Sequence, residues 1–206
     1  MTTVVALSAG LSETSSTRLL ADRLVESFGR QFGDASVEVV TLRELAHDIV
    51  DATLTGFASP RLQDVLDKVT AADGLIVATP IYKASFPGLF KSFIDALDAD
   101  AVIGKPVLLG ATGGTARHSL AIDHALRPLF GYLQALVVPT GVFASTHDWG
   151  ADGAQALEQR IDRAAGELAS LLKGAGTGRA RDDEFDLFSD TFLSISNPGG
   201  AADDRS

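Results

Sequence analysis

Apolar and polar positions follow two rhythms along this chain. Short, largely apolar runs occur at residues 3–7 (TVVAL), 37–42, 75–79, 106–111 (PVLLGA) and 137–143. Runs of that length, rich in β-branched residues, predict strands, and the run ending at 78 reads as a buried parallel one. Between them apolar residues recur at spacings of three and four. Leu19, Leu20, Leu24, Val25 and Phe28 predict a helix over 17–32. Leu62, Val65, Leu66 and Val69 predict another, opening at Pro60, which suits a first helical turn. Phe86, Leu89, Phe90, Phe93, Ile94 and Leu97 mark a third, and further helices are expected near 118–134 and 154–172. Residues 45–59 show neither rhythm. Strands alternating with helices predict a parallel sheet covered on both faces. Five strands fit a doubly wound, flavodoxin-like order, 2-1-3-4-5, in which strands 1 and 3 flank the switch point where ligands bind.

Composition narrows the picture. The chain has 206 residues, 46% of them hydrophobic and 21% charged. Residues 1–173 are expected to form one domain. Residues 173–183 (KGAGTGRARDD) read as a linker, followed by an extension to 206 in which Phe185, Phe188, Phe192 and Ile195 share one helical face. A net charge of −10, with no basic patch, argues against nucleic acid as a partner. Cysteine is absent, which excludes disulfides, thiolate metal sites and a Cys nucleophile. No apolar run approaches the roughly 18 residues of a membrane span. The first basic residue is Arg18, so no signal-peptide start is visible and a cytoplasmic location is expected.

The candidate chemistry lies in three loops at strand ends. Ser12, Thr14, Ser15, Ser16 and Thr17 crowd the loop before the first helix. One hydroxyl suffices to cap a helix. Five beside a helix N-terminus, with its partial positive charge, point to a phosphate cradle. Neither GxxxxGK nor GxGxxG occurs, which disfavours an ATP loop and a Rossmann dinucleotide site. The second loop, 79–85 (TPIYKAS), carries Pro80, which fixes one backbone angle and removes a donor. The third contains Thr112, Gly113 and Gly114, where paired glycines permit close approach to a ligand and positive φ. His47, His118, His124 and His147 lack metal-ligand spacing, and no metal is assigned. No G-x-S-x-G elbow occurs. His147, Asp148 and Trp149 read as a surface loop, with Trp149 over an apolar edge.

Two segments, TPIYKASFPGLFKSFIDAL at 79–97 and GATGGTARHSLAIDHALRPL at 110–129, carry a specific likeness. Over residues 3–172 the chain resembles the NADPH-dependent FMN reductases that supply reduced flavin to two-component monooxygenases, the alkanesulfonate and methanesulfonate systems among them. The resemblance implies a flavodoxin-like fold with FMN at the three loops. It implies that Ser8, Ser15, Ser16 and Thr17 hold the FMN phosphate. Pro80, Ile81, Tyr82 and Lys83 would line the phosphate and the isoalloxazine ring, and Thr112, Gly113 and Gly114 the ring's pyrimidine side. Ala9-Gly10 departs from the family's more usual Gly-Ser. Hydride would pass from NADPH or NADH to FMN with no side-chain base, so no catalytic side chain is assigned. Arg18, Lys83, Lys91 and Arg117 are the cations placed to meet a 2′-phosphate. The resemblance also implies a homodimer or homotetramer and a luciferase-like flavin monooxygenase as partner. It places His124 in a one-residue helix bulge at a subunit interface. The aromatic stripe Phe86, Phe90 and Phe93 reads either as part of such an interface or as monomer core. Other readings stay open: an FMN-containing quinone, azo or chromate reductase, a flavodoxin-type electron carrier, and a flavin-binding regulatory module.

Overall fold

The computed structural model describes residues 1–12 and 14–175, with the backbone alone for Asp152 and Ala175. The strands are β1 (Thr2–Ser8), β2 (Ala35–Thr41), β3 (Gly74–Pro80), β4 (Pro106–Gly113), β5 (Leu136–Val137) and β6 (Val142–Ser145). They pair in parallel in the order β2-β1-β3-β4-β5, with β6 also on β4. This is the expected flavodoxin-like α/β sheet. Every residue of β3 is buried, because helices cover both faces. The helices are α1 (Ser16–Phe32), α2 (Ala46–Thr55), α3 (Pro60–Ala71), α4 (Gly88–Asp95), α5 (Arg127–Tyr132) and α6 (Ala151–Ala175). One face of the sheet meets α1 and α6 through Leu20, Leu24, Phe28, Leu157, Ile161 and Leu168. The other meets α2 to α5 through Ile49, Leu62, Val69, Phe90, Phe93 and Phe130. The core of the described residues contains no sulfur, and Met1 is 94% exposed.

Several expectations change. The fifth strand is not one run over 137–143 but the two pieces β5 and β6. Pro139 has no N–H for the ladder, and the chain leaves the sheet there. The freed groups find side chains. Glu167 accepts from Thr140 N–H and Oγ, both at 2.7 Å, and Arg127 donates to the Val138 carbonyl at 2.9 Å and to the Pro139 carbonyl. The second strand ends at Thr41, and Leu42 opens a buried 3₁₀ turn, Leu42–Leu45. The stretch without rhythm, 45–59, contains α2, whose buried face is Ile49 alone. The helix expected at 118–134 is a composite of a 3₁₀ turn, Ala116–His118, a π-helical turn, Ile122–Leu126, and α5. His124 lies exposed in the π-turn. The aromatic stripe is core: Phe90 and Phe93 are fully buried, and Phe86 packs on Phe90 edge to face at 5.5 Å. Met1–Gly174 is a compact unit. The expected linker starts inside α6, which runs on through residues 173–175, and residues 176–206, with the 182–195 segment, lie outside the described residues.

Lys105, just before β4, is buried at 9% exposure. Its Nζ donates to the Val69 and Thr70 carbonyls at 2.5 and 2.9 Å, capping the C-terminus of α3. Burial lowers its pKa to about 8, against a smaller upward pull from Asp73. Below pH 8 the ammonium is charged in both folded and unfolded chains, and the burial penalty is complete. Between about 8 and 10.5 the unfolded chain binds a proton that the folded one does not, so stability rises with pH. Urea unfolding across that window should show this rise in the wild type. Lys105→Met should lack the Lys105 part of it. Parallel pH curves for the two proteins would contradict the assignment.

Candidate functional site

The three loops meet at the C-terminal ends of β1, β3 and β4. Ser8 pairs with Ala78 in the ladder, and Pro80 with Thr112. Ala9 N–H donates to the Ala78 carbonyl at 2.8 Å, tying the first loop to β3. Ile81 N–H donates to the Thr112 carbonyl at 2.8 Å, tying the second loop to the third. Thr17 and Thr112 share a buried hydroxyl–hydroxyl bond of 2.7 Å between α1 and β4.

The first loop turns sharply because Gly10 allows it. A Cβ at Gly10 would overlap Ser15 Oγ. Ser15 is the N-cap of α1, accepting from Arg18 N–H at 3.4 Å, and Ser16 stands exposed beside it. Ser8 is fully buried, and its Oγ is the one buried side-chain polar atom among the described residues without a hydrogen-bond partner. An unpaired buried hydroxyl costs on the order of 1–3 kcal/mol unless a ligand or water meets it. The Thr17 hydroxyl is already engaged by Thr112. In a chain of net charge −10, the N-terminus of α1 supplies local positive potential for an anion.

In the second loop, Tyr82 and Ser85 exchange both backbone hydrogen bonds, at 2.8 and 3.1 Å, closing a two-residue hairpin. Its tip, Lys83 and Ala84, has φ of 51° and 69°. Both are left-handed without being glycine, a local strain that surrounding structure must hold. Pro80 has no N–H, and those of Ile81 and Tyr82 are committed within the protein. Fewer amides therefore face a ligand here than the loop's length suggests. Tyr82 is half exposed, and Lys83 fully on the surface.

The third loop corrects one argument. Neither Gly113 nor Gly114 has positive φ. Gly113 is needed for space: a Cβ would stand 3.0 Å from Phe143 Cζ and 3.3 Å from His118 Cβ. At Gly114 nothing lies within 4 Å of a Cβ position, so the backbone presents an open face. Of the four cations singled out, Arg18 binds Asp22 at 2.8 Å and Thr41 at 2.9 Å, and Lys91 binds Asp95 at 2.5 Å. Lys83 and Arg117 are exposed on the second and third loops.

His147, Asp148 and Trp149 form a 3₁₀ turn after β6. Burial pushes the Asp148 carboxyl up, but hydrogen bonds from Ser145 Oγ and N–H and from Arg160 outweigh it and hold the pKa below the usual value. Trp149 packs on the α1–α6 core with Arg23 5.1 Å from its ring centroid. No His, Cys, Asp or Glu group among the described residues could hold a metal. Gly10 was absent from the residues expected at the site; its place directly after the first strand run was the available signal.

The residues present fit FMN in three ways: an unpartnered hydroxyl and a helix N-terminus for a phosphate, a tight glycine turn behind them, and an open backbone face at Gly114 for a flat ring. The comparisons agree with this fit. A model of the family described as NADPH-dependent FMN reductase matches residues 2–150. An FMN reductase (NADPH) of Pseudomonas aeruginosa is 41% identical over 175 residues, 83% of this chain and 92% of the relative. The NADH-dependent FMN reductase SfnE of Pseudomonas putida is also 41% identical, over 84% and 92% of the two chains. Among solved structures, an oxidoreductase from Corynebacterium diphtheriae superposes with a TM-score of 0.81 at 47% identity, covering 84% of this chain and 98% of its own. The apo NADH:FMN oxidoreductase EmoB gives 0.70 at 33%, over 80% and 89%. The chain belongs to the NADPH-dependent FMN reductase family and is an oxidoreductase of FMN and a reduced nicotinamide nucleotide.

Proposed function

We propose that this chain catalyses the reduction of FMN by NADPH or NADH and delivers the reduced flavin to a luciferase-like flavin monooxygenase. The observation that carries the flavin site is the meeting of three strand-end loops at the C-terminal ends of β1, β3 and β4, with the unpartnered Ser8 hydroxyl at the end of β1. Ser8, Ser15 and Ser16 hold the phosphate through their hydroxyls, and Thr17 contributes its backbone N–H at the start of α1. Pro80, Ile81, Tyr82 and Lys83 bound one side of the ring, and Thr112, Gly113 and Gly114 its pyrimidine side. Bound FMN supplies the hydride-accepting chemistry. The chain's own part is to bind, to orient and to present backbone donors toward the ring's pyrimidine edge, where negative charge grows on reduction. No helix of the described residues is long and apolar enough to cross a membrane. We place the protein in the cytoplasm, with residues 174–206 as an extension to the 1–173 reductase domain. A homodimer or homotetramer is supported by Leu120 and Tyr132, 62% and 85% exposed on either side of the π-turn.

Steady-state oxidation of NADPH and NADH with FMN, FAD and riboflavin in turn, under anaerobic conditions, tests the activity. FMN should be reduced fastest, with saturation in both substrates. Absence of turnover with every flavin would leave an electron carrier or a binding module instead. Adding the monooxygenase tests delivery, which should raise product formation in proportion to flavin reduced.

A further inference from the structure

The broken fifth strand touches the third loop and the segment that follows it at two separate points. Val138, Pro139, Thr140 and Gly141 separate β5 from β6, and the break is fastened to α6 by Glu167 and to α5 by Arg127, as described above. Arg127 also holds Asp123 of the π-turn through Nε at 2.8 Å. Gly141 lies against Ile122, the first residue of that turn. A Cβ on Gly141 would stand 2.7 Å from Ile122 Cγ2 and 3.3 Å from its Cδ1. Ile122 is 3% exposed, with little room to retreat. Two residues further on, Phe143 packs against Gly113 of the third loop. A cleft of about 420 Å³ beside these contacts is lined by Ala116, Ser119, Ile122, Gly141 and Phe143 among other residues. Beyond the β4–β6 ladder, which pairs Thr112 with Ala144 and Gly113 with Ser145, the strand supports this segment through these two side-chain contacts.

We propose that the broken strand is the positioning element of the flavin-ring loop. Gly141 and Arg127 fix the π-turn, Phe143 fixes Gly113, and together they set where residues 112–115 stand. A π-turn carries one residue more than the α-helix around it and needs tertiary contacts to stay in one place. Packed contacts of this kind switch between discrete arrangements rather than yielding smoothly. Gly141 and Arg127 are positioning residues and touch no flavin. The functional half of the proposal rests on the reading that the third loop meets the ring.

The test is Gly141→Ala, alone and combined with Ile122→Leu. The added methyl displaces Ile122. Leucine lacks the Cγ2 methyl it meets and keeps the side-chain volume. In flavin-free protein, amide hydrogen exchange across residues 112–126 should accelerate roughly tenfold in Gly141→Ala, with β1 and α1 unchanged. Dissociation constants for FMN and for riboflavin should rise by the same factor, on the order of tenfold, because the ring contact is lost and the phosphate contact kept. Ile122→Leu should restore both readouts. Unchanged exchange at 112–126 would overturn the coupling. So would faster exchange spread over the whole fold without rescue. Faster local exchange with unchanged flavin affinity would overturn the functional half. Wild-type protein that binds neither flavin would sink the flavin reading itself, with the exchange data still deciding the coupling.

Discussion

Replacing Ser15 and Ser16 together by alanine is expected to lower FMN affinity by roughly a hundredfold while changing riboflavin affinity by less than about threefold. Hydrogen bonds to a charged phosphate contribute roughly 1.5–3 kcal/mol each, and two at the low end give that factor. Riboflavin has no phosphate and should not feel the loss. Ser15 also caps α1, so the double variant should be less stable by about 1 kcal/mol. That cost falls on both ligands alike and cannot change their ratio. Flavin fluorescence quenching on both proteins gives the four affinities. Equal losses for the two ligands would remove the phosphate from this loop.

Gly114→Val should abolish flavin binding, or weaken it at least a hundredfold, and leave the unfolding transition where it is. The structure separates this position from its neighbour. At Gly113 a side chain meets Phe143 and His118 of the protein itself, so loss of binding there would be confounded with misfolding. At Gly114 a Cβ has no protein atom within 4 Å, and φ is not positive. The Cβ of a branched residue then has only a bound ligand to collide with. Thermal unfolding together with flavin titration reads both halves. Retained affinity in a folded Gly114→Val protein would place the ring elsewhere.

The interior strands were legible because parallel strands buried on both faces read as continuous apolar runs. Gly74–Pro80 shows this most plainly. The three loops followed from where those runs stop. The broken strand was harder. Residues 137–143 contain four hydrophobic residues, two at each end, and the pattern hides the interruption; Pro139 was the local sign that the ladder could not continue. Helix α2 escaped because a helix that buries only Ile49 leaves no stripe to see. The stripe Phe86, Phe90, Phe93 was visible, but spacing alone cannot say whether an apolar face meets the chain's own core or another subunit. Within the site, the hydroxyl-rich loop was readable as chemistry. The engagement of Thr17 by Thr112, the commitment of the Ile81 and Tyr82 amides, and the left-handed Lys83–Ala84 tip depend on contacts between segments far apart in the chain or on backbone angles these residues rarely adopt.

A protein that releases reduced flavin into air works beside the peroxide formed when that flavin meets oxygen. Sulfur is where peroxide first damages most proteins: thiolates climb toward sulfinic and sulfonic acids, and buried methionines turn polar as sulfoxides. Here the layers above and below the sheet are built from valine, leucine, isoleucine, phenylalanine and alanine. The chain has no cysteine, and its single methionine, Met1, projects into solvent, where a sulfoxide would disturb no packing. The interior that holds the three loops in place thus offers no sulfur to the oxidant that its own proposed product creates.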